Sequence, residues 1–416
     1  MKQALASVAA LLLSVSILLT GQGLQGTLLP VRASLENFST VSVGTFGAAY
    51  FLGFTLGCLK GGELVGRVGH VRVFLAMTAI ASAAPLVHGL VIEPWVWSLL
   101  RLMTGFCLAI LYIVIESWLN ERSTNETRGV IFSTYAMITL TVLAVGQMIT
   151  TLYDPSGLEL FAIASVLVSI AAVPVGLSTS PSPEPPQAVS IDLPRLFRLS
   201  PAGALGCLST GLANGSFWSL APIFVVDLSH NASLAALFMT SVVIGGALAQ
   251  WPLGLLSDRI DRRAIMGGMT VLAAALGALI VLLADDLSAT RLNLLGACWG
   301  AAALPMYAIS VAHANDHADP TEYVTVSSGL LLVYGVGAIV GPFTASLLMT
   351  TTGPTGLYVF TTLIHVLLAS VIVIRSVRSR APTAGQRIPF TDALATAHTA
   401  SQVYEEEIQQ HQEGEG

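Results

Sequence analysis

Two charged residues, Arg101 and Glu116, interrupt the apolar run of residues 95–119. A charged group inside a membrane costs about 3 kcal/mol or more unless it faces a partner or water, so each is a functional candidate. Arg101 could attract an anionic solute, adjust a nearby protonation equilibrium, or tie its helix to polar groups such as Gln22 and Gln25. Glu116 has the chemistry of a proton acceptor or of one half of an ion pair.

The two charges are too far apart to pair with each other. At 1.5 Å per residue, the segment from Arg101 to Glu116 is about 22 Å long as a helix. Arg101 then lies about 9 Å inside one end of the helix, whereas Glu116 is near the other end. We therefore expect a solute site around Arg101 and place Glu116 at the cytoplasmic interface.

The elements that must position these residues are membrane-spanning helices. Hydrophobic residues make up 54% of the chain, charged residues only 10%, and the mean hydropathy is +0.76. A soluble domain has about 25% charged residues. Twelve apolar runs reach the roughly 20 residues that a helix needs to cross the hydrocarbon core. They are residues 5–29, 41–60, 72–91, 95–119, 129–152, 158–177, 201–226, 234–256, 264–284, 290–313, 322–350 and 356–375.

The basic residues predict the orientation, because Lys and Arg are retained in cytoplasmic loops. With the N-terminus inside, 15 of the 18 basic residues are cytoplasmic, and only Arg32 and Arg291 lie outside. This bias predicts that both termini are cytoplasmic. The first run follows Lys2 and could be read as a signal peptide, but no cleavage site follows it promptly, so we interpret it as the first span.

The two halves of the chain repeat each other at an offset of 192 to 195 residues. Residues 22–30 match 214–222, residues 62–71 match 254–263, and residues 111–121 match 306–316. The domain prediction has four parts: an N-terminal six-helix bundle at 1–177, a Pro- and Ser-rich cytoplasmic linker at 178–200, a C-terminal six-helix bundle at 201–376, and a mostly disordered cytoplasmic tail at 377–416. Such a repeat favours two bundles around a cavity near the bilayer midplane.

At this point the chain resembles the major facilitator superfamily over residues 1 to 380. The segment with Gly62, Leu64, Arg67 and Gly69 is similar to the G-x-L-x-D-R-x-G-R motif of that family, although Gly66 replaces the acidic residue. Its copy keeps Gly254, Leu256, Asp258 and Arg259; Arg101 and Gly105 match the R-x-x-x-G signature. The segments ESWLNERSTNETRG, QWPLGLLSDRIDRR and SVAHANDHADP look like the YcaD-like group. The resemblance implies an all-α membrane protein with 12 transmembrane helices arranged as two pseudo-symmetric six-helix bundles.

In that family helices 1, 4, 7 and 10 line the cavity, so their polar and aromatic residues are the expected solute ligands. Together with Arg101 these are Gln22, Gln25, Asn214, Trp218, Trp299 and Tyr307. Amide groups can satisfy donors and acceptors on a solute, and aromatic rings supply flat apolar surfaces. The alternative for each is hydrogen bonding and packing between helices, particularly for the two glutamines, which stand beside glycines.

The resemblance also implies a gate that closes the cytoplasmic side. We expect Glu116 to pair with Arg67, and Asp258 to act at the first turn of helix 5 near Arg128, where the free amides and the arginine both favour an anion. Arg259 follows Asp258 and completes the expected gating residues. The alternative is a Glu116 that only fixes the local loop.

The sequence therefore predicts a secondary active transporter in the bacterial inner membrane that moves a small organic solute by alternating access. Proton coupling is implied by analogy alone. The expected partners are the solute, the lipid bilayer and, by the same analogy, H⁺, with no cofactor, metal or nucleic acid, and we expect a monomer. H-E-x-x-H, G-x-S-x-G and P-loop motifs do not occur, which argues against the alternative of a membrane enzyme. A non-transporting sensor or scaffold is the other alternative. HANDHADP at 313–320 is interpreted as a solvated turn rather than a metal site.

Overall fold

The fold is known from a computed structural model that describes residues 2–177, 192–378 and Phe390. Within that part of the chain, fifteen α-helices and two short 3-10 helices form, and no strand does. The helices are α1 (Lys2–Leu35), α2 (Thr40–Val68), α3 (His70–Leu90), α4 (Pro94–Glu121), α5 (Asn125–Ile149), α6 (Glu159–Ile170), α7 (Ala172–Gly176), α8 (Leu193–Leu199), α9 (Pro201–Ser229), α10 (Ala232–Arg259), α11 (Arg262–Leu283), α12 (Ala289–Ala303), α13 (Met306–Asn315), α14 (Tyr323–Thr352) and α15 (Gly356–Arg378).

All twelve crossings predicted from sequence are confirmed as helices that are long and apolar enough to span a membrane. The sixth crossing is made by α6 and α7 together, and the tenth by α12 and α13. Pro305 sits at the junction of α12 and α13 and interrupts the helix there, because proline has no amide hydrogen and its ring crowds the preceding turn.

The sequence predicted a loop between the runs 41–60 and 72–91, and this loop is much shorter in the structure. α2 continues through Arg67 to Val68 and ends at Gly69, whose φ of +93° is accessible to glycine without a side-chain clash. Part of the predicted 178–200 linker is also ordered, because Asp192 accepts a hydrogen bond from the amide of Arg195 and caps α8. Residues 178–191, and all of the tail after Arg378 except Phe390, lie outside the described residues.

The two bundles use the same close helix contacts, and these contacts follow the sequence repeat. In the first bundle a Cβ added at Gly105 would lie 2.0 Å from the backbone oxygen of Tyr50, so α4 touches α2 backbone to backbone. In the second bundle a Cβ at Gly300 would lie 2.2 Å from the backbone oxygen of Val242. Gly300 follows Gly105 by 195 residues and Val242 follows Tyr50 by 192. Small residues thus position α4, which carries Arg101, against α2.

Most of the basic residues lie at helix ends on one side of the molecule, which we call the basic face. It is the face where α2 and α10 end, with Arg67 and Arg259 exposed on it. We call the other side the opposite face. The two bundles touch at the opposite face: the hydroxyl of Ser34 donates to Asp227 at 3.2 Å. A Cβ at Gly44 would likewise lie 2.3 Å from the hydroxyl oxygen of Ser346. The molecule is therefore closed on this side.

Candidate functional site

A compact polar cluster from three helices of the first bundle surrounds Arg101. The guanidinium carbon of Arg101, on α4, stands 4.0 Å from the centre of the Tyr50 ring on α2. Gln22, on α1, donates through Nε2 to the Tyr50 hydroxyl at 3.2 Å. Tyr50 therefore connects the two residues that sequence reasoning placed in one site, and the cation–π contact is worth about 0.5–2 kcal/mol.

The guanidinium of Arg101 is buried, and two of its nitrogen atoms have hydrogen-bond donors that no acceptor uses. Nε and Nη1 of Arg101 are inaccessible to solvent and have no hydrogen-bond partner. A buried donor without an acceptor costs about 1–3 kcal/mol, and more for a charged group. A solute acceptor within hydrogen-bond reach of these two donors would remove the cost.

Aromatic residues from both bundles extend the cluster toward the basic face. Tyr112, on α4, packs edge-on against Phe54 of α2 with ring centres 6.1 Å apart. On the other bundle Tyr307, on α13, meets Tyr334 of α14 edge-on at 5.0 Å, and the hydroxyl of Tyr307 is buried without a hydrogen-bond partner. Tyr307 was predicted as a solute ligand, and its repeat partner Tyr112 faces the same region from the first bundle.

The side chain of Glu116 is enclosed by helices of the first bundle. Its side chain is only 3% exposed and accepts one long hydrogen bond, 3.4 Å, from the hydroxyl of Tyr135 on α5. Its expected depth, near the cytoplasmic interface, stays a prediction. Trp118, two residues after Glu116, is 5% exposed and packs beside His70, and α4 stays buried as far as Leu119.

The expected ion pair between Glu116 and Arg67 is absent from this conformation. Arg67 is 75% exposed and pairs with Glu63 one turn earlier on α2, at 2.5 Å. Geometry explains the difference: α2 continues as a helix through this region and turns Arg67 outward, while Glu116 faces the bundle interior. The gate pair would require a different arrangement of α2 and α4.

Asp258 is also engaged inside its own bundle. It accepts a hydrogen bond at 3.0 Å from Nη2 of Arg262, and Arg262 reaches on to Asp316 at 3.3 Å. The structure does not describe the side chain of Arg128, so the expected contact of Asp258 with the start of α5 stays a prediction. Arg259 is exposed at the end of α10.

Only the second half of the HANDHADP segment is a solvated turn, with His317 and Asp319 exposed. His313 and Asn315 form the last turn of α13 and are 3% and 0% exposed, and the side chain of Asp316 is 2% exposed. Asp316 is enclosed because it pairs with Arg262, which is itself 1% exposed. Two buried charges at this end of the second bundle thus neutralise each other.

Three other predicted solute ligands are buried between helices. Trp299 is fully buried in the second bundle against Phe217, at 5.0 Å between ring centres, and Tyr358, at 5.7 Å, so it forms part of the core rather than the cavity wall. Gln25 and Asn214 are 3% and 5% exposed, and each has a side-chain oxygen without a hydrogen-bond partner.

Trp218 is half-buried beside Phe217. Gln147 accepts a hydrogen bond from Thr240 at 3.3 Å and so joins the bundles at the opposite face.

Sequence reasoning missed Tyr50 and Tyr135, which hold the two interior charges. Both lie within apolar runs, and one tyrosine in a span carries no distinguishing signal. Tyr50 lies against α4 at the level of Gly105, four residues after Arg101, and only the packing of α2 and α4 shows this.

Comparison with known proteins agrees with this architecture. The family model described as Major Facilitator Superfamily matches residues 199–403, and the model described as Sugar (and other) transporter matches residues 7–187. The chain is 28% identical over 342 residues to the Uncharacterized MFS-type transporter YcaD of Escherichia coli O17:K52:H18 (strain UMN026 / ExPEC), covering 82% of this chain and 88% of that protein. The YcaD protein of Escherichia fergusonii is 27% identical over the same length.

Solved structures share the fold. A crystal structure of the nucleoside transporter NupG aligns with a TM-score of 0.73 at 15% identity, over 88% of this chain and 98% of that one. A bacterial homologue of the human lysosomal transporter Spinster, inward-facing and occupied, aligns with a TM-score of 0.72 at 16% identity, over 92% of this chain and 98% of that one. With twelve spans in two bundles, the chain belongs to the major facilitator superfamily and is a multi-pass bacterial membrane transporter.

Proposed function

We propose that the protein carries a small organic solute by alternating access, and that the solute binds between Arg101, Gln22 and the tyrosines of both bundles. The observation that supports this best is the pair of buried Arg101 donors without an acceptor. Because these donors adjoin aromatic rings, the proposed solute combines an anionic or strongly accepting group with a flat apolar part.

The proposed moving units are residues 1–177 and 201–376, with 178–200 as the connection and 377–416 as a tail. The proposed orientation puts the basic face and both termini in the cytoplasm, since that places 15 of 18 basic residues inside. Contacts at the opposite face then correspond to an inward-facing state. In the outward-facing state, Glu116, Arg67, Asp258, Arg128 and Arg259 remain the proposed gating residues.

Glu116 is also the proposed proton acceptor, because it is a buried carboxylate with one long hydrogen bond. Its hydrogen-bond donor, Tyr135, lies on α5 of the same bundle, so protonation of Glu116 would alter the contact between α4 and α5. Coupling requires that this change favours one conformation of the two bundles over the other.

The solute site is tested with purified protein in liposomes, screened against pools of small organic acids and neutral solutes. Replacing Arg101→Gln should raise the KM about tenfold or more, since a hydrogen bond to a charged group is worth about 1.5–3 kcal/mol. Tyr50→Phe, which removes the contact with Gln22 but keeps the ring under the guanidinium, should have a smaller effect. Failure of the intact protein to transport any solute would contradict the proposal, provided that it is folded.

Proton coupling is tested separately with Glu116→Gln. This variant should lose accumulation driven by a pH gradient but keep solute exchange, because exchange needs no net proton movement. Glu121→Gln, at an exposed position on the same helix, is the matched control and should behave as the unmodified protein. Accumulation by Glu116→Gln at the normal level would exclude Glu116 as the proton site.

A further inference from the structure

Phe390, which lies beyond the last span, packs against the basic face of the second bundle. Its side chain is only 2% exposed. Phe390 belongs to an apolar cluster with residues of α10, α11, α13 and α15, which we call the Phe390 socket. The socket consists of Leu253, Met266, Met269, Met306, Ile309, Leu368 and Ile372.

The backbone of Phe390 adds a polar contact to the apolar one. Its amide donates to both carboxylate oxygens of Asp258, at 2.9 and 3.2 Å. Asp258 accepts a third hydrogen bond from Arg262 at 3.0 Å. Hydrogen bonds to an ionised acceptor are about twice as strong as neutral ones, so Phe390 and Arg262 together hold this carboxylate firmly inside the second bundle.

A glycine at the socket makes room for the ring. A Cβ added at Gly254 would lie 2.2 Å from Cδ1 of Phe390, far too close for any side chain. Gly254 also stands one turn before Asp258 on α10, so the ring and the amide of Phe390 reach the same face of the same helix. Gly254 thus leaves room for the aromatic ring, and Asp258 accepts the hydrogen bonds of the backbone amide of the same residue.

We propose that Phe390 is an internal ligand of the basic face, which keeps Asp258 in the second bundle and so opposes closure of the two bundles on this side. Release of Phe390 frees Asp258 to bind the first bundle. The proposal rests on the proposed alternating access, because it assigns the tail a control over one of the two states.

Ile388, Pro389 and Phe390 form an apolar triplet, and residues 379–416 contain only one other aromatic residue, Tyr404. Burying a Phe side chain is worth about 1.5–3 kcal/mol, which is roughly a tenfold to hundredfold preference for the bound tail. Loss of the ring should shift the two conformations by a similar factor.

The experiment measures the distance between the bundles at the basic face, without any solute. Spin labels are attached to cysteines at Val68 and Ile260, exposed residues at the ends of α2 and α10, after the four native cysteines are replaced. Pulsed electron paramagnetic resonance in lipid nanodiscs should give mainly the long distance for the otherwise unmodified chain. Phe390→Ala should increase the ratio of short to long distances at least tenfold, and Tyr404→Ala should leave the ratio unchanged.

A second variant tests the socket without altering the tail. Gly254→Val fills the position of the ring and should change the distance ratio as Phe390→Ala does. Gly268→Val is its control, because nothing lies within 4 Å of a Cβ at Gly268 on the neighbouring helix α11. An unchanged ratio in both Phe390→Ala and Gly254→Val, with monodisperse protein, would overturn the proposal. Because the measurement needs no solute, a failure of transport would leave its result intact.

Discussion

Replacing Gly105 by alanine should separate α4 from α2 and lower stability. The added methyl group would lie 2.0 Å from the backbone oxygen of Tyr50, about 1 Å closer than the 3.0 Å below which real Cβ contacts essentially never fall. Backbone cannot move aside as a flexible side chain can, so the helices must move apart. Overpacking of this kind costs about 1–3 kcal/mol.

Gly26→Ala is the matched control for this substitution. Both glycines lie inside long helices, where alanine is favoured over glycine by about 0.8–1 kcal/mol, but a Cβ at Gly26 meets nothing within 4 Å. The difference between the two variants therefore isolates the helix contact.

The free energy of unfolding is measured in detergent micelles by denaturant titration, with the melting temperature as a second readout. Gly105→Ala should be less stable than Gly26→Ala by about 1–3 kcal/mol. It should also weaken solute binding, because Tyr50, which underlies Arg101, moves with α2. Equal stability of the two variants would refute the reasoning that backbone contact positions Arg101.

Three further predictions concern the opposite face, the core and the basic face. Gly44→Val should reduce the long-distance population at the basic face about fivefold or more, because its side chain would meet Ser346 2.3 Å from the Cβ position and prevent closure at the opposite face; an unchanged distance distribution would contradict this. Trp299→Phe should lower the unfolding free energy by about 1–2 kcal/mol but leave the KM unchanged, since the ring is in the core; a raised KM would return Trp299 to the solute site. Although partial burial alone would raise the pKa of Asp261, hydrogen bonds from Arg263 lower it overall, so its contribution to stability is present above about pH 4 and is lost as the pH falls through the lowered value. Asp261→Asn should therefore be less stable than the unmodified protein at pH 7, and the difference should disappear in acid unfolding measurements below that pH; a constant difference would exclude the charge effect.

The crossings could be predicted because each is a continuous apolar run, and hydropathy depends only on local composition. The repeat could be predicted because it left matching residues at a constant offset. The environment of Glu116 could not, since counting residues along α4 gives depth but not which neighbouring helices enclose a side chain. Tyr135 lies 19 positions further along the chain, on α5, and only the packing of α4 and α5 brings it to Glu116. The position of Phe390 depends likewise on a contact 132 positions away.

The two bundles differ in where they carry buried charges, although their sequences repeat each other. At the positions that correspond to Arg101 and Glu116, the second bundle has Gly296 and Val311, so the interior charges belong to the first bundle alone. The second bundle instead concentrates its buried charges at the basic face, where Arg262 joins Asp258 to Asp316. Burying a charge is costly, and each bundle bears that cost at a different depth. This division agrees with the proposal that the first bundle supplies the charged groups for the solute and the proton, while Asp258 of the second bundle takes part in closure. An arginine placed at Gly296 should not reproduce the site around Arg101. Its Cβ would lie 2.4 Å from the Phe238 ring, and its charge would lack the tyrosine and glutamine that accompany Arg101.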